Sequence, residues 1–308
     1  MEHKIITIVG ATCSGKTQIG IILASKFDAE IISADSRQIY KYLNIGTAKP
    51  DKNELAKIKH HFINLLEPNE NYNASHFETA ALKIIDNLLK NKKVPIIVGG
   101  SGLYIKALVD GIFNSVEVDE EYRNELLEKK KRFGDEYLYA ELKKADPESA
   151  AKMLSQNWKR VMRALEVFHL TGQSIGFHQK KYKRNKKFNF RLHGLKWERS
   201  LLYENIDNRI DDMIENGLVS EVESLLDRGY SKNLNSLNTV GYKEIISYLE
   251  GEISLGRAIE LIKRNTRRYA KRQLTWFRSD ERIIWHDIKS QKDIYRVAEL
   301  IINSEEIR

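Results

Sequence analysis

Apolar residues fall in short runs, separated by longer segments in which they recur at helical spacing. Lys4-Ile-Ile-Thr-Ile-Val9, Glu30-Ile-Ile-Ser-Ala34 and Val94-Pro-Ile-Ile-Val98 are β-branched runs, each leading into small or polar residues. Their length and composition predict buried strands, the first over Ile5–Val9. Between them, Gln18–Ser25 can wind as a helix and Ser75–Asn91 has apolar residues at helical spacing. Strands alternating with helices predict an α/β fold, a parallel sheet with helices on both faces. In such sheets the ligand crevice lies beyond the C-terminal strand ends. The segments that follow the three strands, Gly10–Thr17, Asp35-Ser36 and Gly99–Gly102, are therefore expected to converge on one site.

From about Ser115 to Lys187 the pattern changes. Strand signals vanish, and Glu120–Phe133, Tyr137–Lys144 and Lys159–Leu170 read as amphipathic, charged helices with a turn at Asp146-Pro147. An all-helical insert over 115–187 is expected, between core segments 1–114 and 188–308. Its far end is the basic tract Lys180–Lys187. Phe190–Trp197 then returns to a strand pattern, Leu201–Leu226 reads as helix broken near Gly217, and Ile283–Trp285 as a last strand before a closing helix, Asp293–Ile302.

The first of the three turns carries chemistry. Gly10, Ala11, Thr12, Cys13, Ser14, Gly15, Lys16 and Thr17 spell G-x-x-x-x-G-K-[ST], placed between a strand and a helix as that pattern requires. The glycines let successive N–H groups turn inward on phosphate oxygens, and the new helix adds its positive end. Lys16 is placed to reach outer phosphates and the Thr17 hydroxyl to reach a bound Mg²⁺. The core is thus expected to be a P-loop NTPase-like parallel sheet. What the loop holds is left open at this level.

Composition narrows the class. The chain has 308 residues, enough for a sizeable core with an inserted smaller domain. No apolar run reaches the ~18 residues a membrane span needs. The first strand starts within a few residues of Met1, so no leader is expected, and a cytoplasmic enzyme is the expectation. A single cysteine, Cys13, excludes an internal disulfide and a cysteine-based zinc site. The net charge is +8, from 51 Lys+Arg against 43 Asp+Glu. Much of the excess lies in the basic tract and in Arg257–Arg278, where Arg264, Arg267/Arg268 and Lys271/Arg272 recur on one helical face. Such a face is either a solvated surface or one that an anion neutralises, for which a nucleic-acid backbone is the obvious candidate.

Asp35, at a strand end beside a phosphate site, suits a Mg²⁺ ligand, a general base or a turn cap. The third strand ends in Gly99-Gly100, which leaves Asp35 the one acid at a strand end. Ser36, Arg37, Gln38 and Tyr40 follow it, a density of hydrogen-bonding and stacking groups that a nucleobase can use.

Taken together, the loop, Ser33-Ala-Asp-Ser-Arg-Gln-Ile-Tyr40, Asn44-Ile-Gly-Thr-Ala-Lys-Pro50, Val98-Gly-Gly-Ser-Gly-Leu-Tyr104, Arg163-Ala-Leu-Glu-Val-Phe168 with Thr171-Gly172, Val240-Gly-Tyr-Lys243 and Lys271-Arg-Gln-Leu-Thr-Trp-Phe-Arg278 resemble the tRNA dimethylallyltransferases (isopentenyltransferases). The matches keep the family's order over all but the last ~20 residues. The resemblance implies transfer of a dimethylallyl group from dimethylallyl diphosphate to the exocyclic amine of the adenosine just 3′ of the anticodon. The tRNAs are those reading codons that begin with U, and diphosphate leaves. It implies Asp35 as general base, Arg209 and Thr17 as further catalytic groups, and Mg²⁺ at Thr17. Implied tRNA contacts are Asp35, Ser36, Arg37, Gln38, Ser101 and Arg123; Lys159, Arg160, Val161, Met162 and Arg163; Asn238, Thr239, Val240, Gly241, Tyr242 and Lys243; and Lys271, Arg272, Gln273, Leu274, Thr275, Trp276, Phe277 and Arg278. The helical insert is expected to contact the anticodon stem-loop, and the protein to act as a monomer.

Three positions depart from the family pattern. Cys13 replaces a small alanine, which makes its thiol a candidate for alkylation; Ser101 stands where threonine is usual; Asn205 replaces an arginine one turn before Arg209. His60-His61, with no cysteine partners, reads as structural. Read from its own residues, Arg209 is an i,i+3 partner of Asp212. Two other readings remain: an isopentenyltransferase or kinase acting on a small molecule such as adenylate, and an ATP-driven RNA-binding module. The first has no need of the basic face, and the second would need an acid where Gly99-Gly100 stands.

Overall fold

A computed structural model describes residues 3–112, 118–181 and 188–305. The chain divides into two compact units, Met1–Val109 with Lys186–Arg308, and Asp110–Asn185. Most of the basic tract and the expected insert boundary near 114–115 lie outside the described residues.

The first unit opens with β1 (Lys4–Gly10), α1 (Lys16–Phe27), β2 (Ala29–Ser33), α2 (Lys52–Lys57), β3 (His60–His61), α3 (Ala74–Lys90), β4 (Val94–Gly99) and α4 (Gly102–Asp110). The second unit holds α5 (Glu120–Phe133), α6 (Asp135–Ala145), α7 (Pro147–Ala150), α8 (Trp158–Thr171) and α9 (Ile175–Lys181), and no strand among its described residues. The chain returns to the first unit through β5 (Asn189–Trp197), α10 (Arg199–Glu215), α11 (Leu218–Asp227), α12 (Tyr242–Leu249), α13 (Leu255–Arg278), β6 (Ile284–Ile288) and α14 (Gln291–Ser304).

The six strands form one parallel sheet in the order β3-β2-β4-β1-β5-β6. That order explains why helices cover both faces. Connections β1→β2 and β2→β3 run one way along the sheet, and the later ones run back. Right-handed crossovers in opposite directions put their helices on opposite faces. Strands covered on both faces read as unbroken apolar runs, and Ile5, Ile6, Ile8 and Val9 of β1 are fully buried. α14 then packs beside α1.

The apolar runs become β1, β2, β4 and β5 with ends moved by a residue or so, and the last strand is β6, displaced toward Ile288. The two-residue edge strand β3 has no run to announce it. The short helices α4 and α12 start at Gly102 and just after Gly241, within glycine-bearing stretches that carry loop signals.

In the second unit, Leu126, Leu138, Leu142, Val161, Met162 and Leu165 build a separate core. Glu166, almost fully buried there, pairs with Arg123 of α5 (Nε to Oε1, 3.1 Å) and with Arg163 one turn earlier on α8. A buried carboxylate needs such partners, and here one acid fixes two arginines.

β2 and β4 come closest at their C-terminal ends, where Ala34 N–H donates to Val98 O at 2.8 Å. A Cβ on Gly99 would lie 2.2 Å from the Ala34 carbonyl oxygen. Gly99→Ala is expected to lower unfolding stability by about 1–3 kcal/mol. Urea unfolding would read this as a lower midpoint at constant slope; an unmoved midpoint would mean that the strand ends separate freely.

Candidate active site

The phosphate-binding loop is held open from several sides. Gly15 has φ +89°, and a Cβ there would lie 2.0 Å from Ile294 Cδ1 of α14, so glycine is required for conformation and for space. Cys13 also adopts positive φ, +60°. No side chain caps the start of α1 at Gly15, which leaves its first N–H groups to a ligand. Trp197 Nε1 donates to Ser14 O at 3.1 Å. Gln273 of α13 is buried against the loop: its Oε1 accepts from Thr12 N–H and its Nε2 donates to Gly100 O, both at 2.8 Å. Lys16 Nζ turns back onto Ala11 O. Loss of solvent lowers its ammonium to about 8, against the pull of Cys13 and Asp35.

Asp35 follows β2 and forms its own turn. Its Oδ1 accepts from Arg37 N–H at 2.8 Å and from Gln38 N–H at 3.2 Å, and Oδ2 has no protein partner among the described residues. Ser101 Oγ, at the end of β4, accepts from Ser36 N–H at 3.0 Å and ties the two strand ends together. Gln38 is engaged on both sides, donating to Thr47 O and Ala48 O and accepting from Ser33 Oγ. Arg37 donates to Asn235 O at 2.8 Å.

The loop that receives Gln38 is itself pinned by Glu221 of α11. That carboxylate accepts from Asn44, Ile45 and Gly46 N–H at 2.8–3.1 Å and from the Tyr242 hydroxyl at 2.7 Å. Burial and the Glu221 charge hold Tyr242 well above the usual phenol range. Lys49, in the same loop, donates to Tyr40 O, Asn44 Oδ1 and Asn64 Oδ1, and burial lowers it to about 8.

α10 presents two faces. Asn205, Asn208, Arg209 and Asp212, at helical spacing, line the site. Asp207 and Asp211 instead pair with Arg267 and Lys263 of α13, each at 2.7 Å. Arg209 Nη1 lies 3.5 Å from Cys13 Sγ, and among the described residues no carboxylate is within ion-pair distance of it. The i,i+3 pair with Asp212 does not form.

These segments enclose a cavity of about 590 Å³. Thr12–Thr17, Asp35, Gln38, Gly99, Gly100, Arg209 and Gln273 of the expected site line it. Ser36, Arg37 and Ser101 stand just behind Asp35 through the bonds above. Asp35 is not its sole acid: Glu54, used in a capping box with Asp51, and Asp212 line it too. Two buried atoms beside the phosphate loop lack any protein partner, Ser14 Oγ and Asn205 Nδ2. A hydroxyl and an amide donor left open in one cavity suit a phosphate oxygen. Among the described residues no cluster of three or more His, Cys, Asp or Glu could hold a metal ion. The one candidate donor from the loop, Thr17, suits Mg²⁺ that keeps water and phosphate oxygens as its other ligands.

The expected RNA contacts divide by exposure. Arg264, Arg268, Lys271, Arg272, Thr275, Trp276 and Arg278 are exposed on α13, as are Asn238 and Lys243, and Lys159 and Arg160 on α8. Val161, Met162, Tyr242, Gln273 and Phe277 have buried side chains, and Gly241 is buried too. These serve packing and the phosphate loop, so their side chains are not available to RNA. Thr239, Val240 and Leu274 are half-buried, and Arg123 and Arg163 are committed to Glu166. Arg267, grouped with the basic face by spacing, is bound to Asp207. Lys49, Tyr269 and Glu221 escaped sequence reasoning. Lys49 and Glu221 act through distant backbone groups, and no spacing rule links them to the loop.

A parallel sheet, a phosphate-binding loop at the end of β1 and open donors in one cavity define an enzyme of the phosphate-loop class. The IPP transferase family model matches residues 38–280. A tRNA dimethylallyltransferase of Acetivibrio thermocellus is 47% identical over 284 residues, covering 92% of this chain and 91% of that protein. One from Alkaliphilus oremlandii is 44% identical, covering 98% and 97%. Among solved structures, the tRNA isopentenylpyrophosphate transferase of Bacillus halodurans superposes with a TM-score of 0.72 at 37% identity, covering 98% of this chain and 96% of its own. A eukaryotic dimethylallyltransferase described as acting on tRNA gives a TM-score of 0.81 at 29% identity, covering 99% and 81%. The chain belongs to the IPP transferase family and is a prenyltransferase.

The lowered Lys16 value has a testable sign. Below pH 8 the ammonium is charged and available to a diphosphate; above it the charge is lost well before the ordinary lysine value. Affinity for inorganic diphosphate is expected to fall by up to about tenfold between pH 7 and pH 9, read by titration calorimetry. A flat profile would show that Lys16 keeps its proton throughout.

Proposed function

We propose that the enzyme transfers a dimethylallyl group from dimethylallyl diphosphate to the exocyclic amine of the adenosine immediately 3′ of the anticodon. Its substrates are tRNAs reading codons that begin with U. The observation that carries the reading is one cavity in which the free Oδ2 of Asp35 and the unpaired guanidinium of Arg209 share a lining with the phosphate loop. That cavity has glycines where a hydrolytic acid would end β4.

An adenine amine is a weak nucleophile. Asp35, oriented by the Arg37 and Gln38 amides through Oδ1, leaves Oδ2 to accept the amine's hydrogen and take its proton. As the new C–N bond forms at the allylic carbon, the C–O bond to diphosphate breaks. Positive charge grows on the carbon and negative charge on the leaving group. Loop N–H groups, Lys16, Ser14, Asn205 and Arg209 stabilise the latter, and Arg209 is free to do so because no carboxylate holds it. The Thr17 hydroxyl would be the residue to hold Mg²⁺, which would supply further neutralisation of the leaving group.

Arg264, Arg268, Lys271, Arg272 and Arg278, exposed on α13 and in no ion pair among the described residues, suit an RNA backbone, with Trp276 beside them as a stacking surface. Lys159 and Arg160, exposed on α8, offer a second set. The target base must leave its stack to reach Asp35. The cavity also fits the phosphates of a small nucleotide, but such a substrate leaves the α13 cations without a partner.

Labelled dimethylallyl diphosphate with Mg²⁺ and either unmodified tRNA or AMP tests the assignment. Label is expected in tRNA alone; label in AMP would overturn it. Asp35→Ala is expected to lose about 10²–10⁴ in turnover while tRNA affinity changes little, and retained turnover would remove Asp35 as base. Replacing Lys271 and Arg272 together by alanine is expected to weaken tRNA binding. Its log K against log salt slope should flatten by about 1.5; an unchanged slope would place the RNA elsewhere.

A further inference from the structure

The proposed chemistry uses the phosphate loop, Asp35 and Arg209, and the lobe of the cavity lined by Ile31, Val98, Pro50 and His60 is unexplained. α1 approaches the sheet so closely that a Cβ on Gly20 would meet Val98 Cγ2 at 2.6 Å and Ile31 Cδ1 at 3.6 Å. Ile31 and Val98 thus face α1, the helix that starts at the phosphate loop. Both also line the cavity, together with Pro50 and His60. β3 pairs with β2 so that His60 lies in register with Ile31. The lining here is therefore apolar over Ile31, Val98 and Pro50, with His60 from the sheet's edge strand and the nearby Glu54 carboxylate as its polar groups. Those three apolar residues suit a short hydrocarbon tail.

The two histidines of β3 differ. His61 Nε2 lies 2.7 Å from Glu30 Oε2, an ordinary structural pair. His60 Nδ1 lies 2.8 Å from Ile58 O, so Nδ1 carries the proton and donates it. Burial lowers the ring's pKa, which keeps it neutral near pH 7. Nε2 then bears a lone pair, and it is buried with no hydrogen-bond partner. A buried acceptor without a partner costs stability unless something else fills it, and the cavity that the ring lines is where a donor can enter. A dimethylallyl tail has no hydrogen to offer. The same tail with a hydroxyl on a terminal methyl has one.

We propose that His60 makes this lobe a specificity pocket, so that the enzyme takes as donor a five-carbon allylic diphosphate with a terminal hydroxyl as well as the plain dimethylallyl compound. The inference rests on the prenyl-transfer reading above. The bond changes are those of the plain donor: the allylic C–O bond to diphosphate breaks, the amine–carbon bond forms and Asp35 takes the proton. The hydroxyl is a spectator that donates to His60 Nε2. A site that hydrogen-bonds a substrate hydroxyl discriminates strongly against losing that bond, whereas a purely apolar lobe would desolvate the hydroxyl without return.

The test compares kcat/KM for dimethylallyl diphosphate and 4-hydroxy-3-methylbut-2-enyl diphosphate, with unmodified tRNA as acceptor, in the wild type, His60→Phe and His60→Gln. The ratio of hydroxylated to plain donor is expected to be about one or higher in the wild type. It should fall roughly tenfold or more in His60→Phe and recover in part in His60→Gln, whose amide oxygen restores an acceptor. A ring that serves only to pack, or that holds a water, would lower both donors together, and an unchanged ratio in His60→Phe overturns the proposal. So does a wild type that rejects the hydroxylated donor by roughly a hundredfold or more, a result that stands whether or not the variants fold. If neither donor labels tRNA, the prenyl-transfer reading itself has failed; if only the plain donor does, this inference alone has.

Discussion

The Gln273 carboxamide accepts from Thr12 N–H and donates to Gly100 O, and through it one helix governs the site. The contact joins the C-terminal ends of β1 and β4 to α13, far along the chain. One is a part-buried backbone donor and the other a buried backbone acceptor, and the amide satisfies both. The same helix fixes α10 through Arg267–Asp207 and Lys263–Asp211, and thereby sets Arg209 opposite the loop. One turn past Gln273, Trp276 fills the space where a Cβ on Gly102 would lie, 2.3 Å from its ring. What remains of α13 is its outer row of cations. A load on that row is mechanically continuous with the phosphate loop, because both hang on one rigid rod.

Several charged groups at least half-buried in the structure have a geometric task. Glu221 gathers three backbone N–H groups and one hydroxyl, which shapes the Asn44–Gly46 loop. Lys49 spans three acceptors from the same region, and Glu166 does the corresponding work in the helical unit. Such groups are costly to strip of one partner and cheap to keep as complete sets. They give loops that have no regular structure a single conformation. The contrast lies at the cavity, where Ser14 Oγ, Asn205 Nδ2 and His60 Nε2 are left incomplete. Other buried atoms also lack a hydrogen bond, Tyr72 Oη, Asp146 Oδ2 and His193 Nε2 among them, but these three belong to residues that line the cavity.

What could be read from the chain beforehand follows a physical divide. β1, β2 and β4 are covered on both faces and so read as unbroken apolar runs, and the loop after β1 is a contiguous motif with glycine at the turns. Those elements, and the meeting of Gly10–Thr17, Asp35 and Gly99 at one end of the sheet, were legible. So were the amphipathic helices expected over Glu120–Phe133, Tyr137–Lys144 and Lys159–Leu170, within a residue or two. β3 was not, because two residues cannot display a period. α4 and α12 were hidden by the glycines that open them. The roles of α13 were legible by halves: a 3.6-residue period marks a basic row but cannot tell Arg268, which faces solvent, from Arg267, which faces Asp207. Gln273 read as one more polar residue in a basic stretch. Arg163–Glu166 is an i,i+3 pair that local spacing can show, but Arg123 is brought to Glu166 only by folding. Long-range pairing of this kind leaves no trace in local spacing.

Ile294 of the closing helix fits against Gly15 so tightly that the glycine has no room for a methyl group. The oldest-looking part of the site, ten residues from the start of the chain, is therefore finished by a residue near its end. During synthesis, β1 and the first turn of α1 leave the ribosome long before Gln273 and Ile294 exist. The loop must wait, apolar strand behind it and open amides in front, until almost the last helix arrives. The contacts that complete the loop therefore form only after nearly all of the residues described have been made.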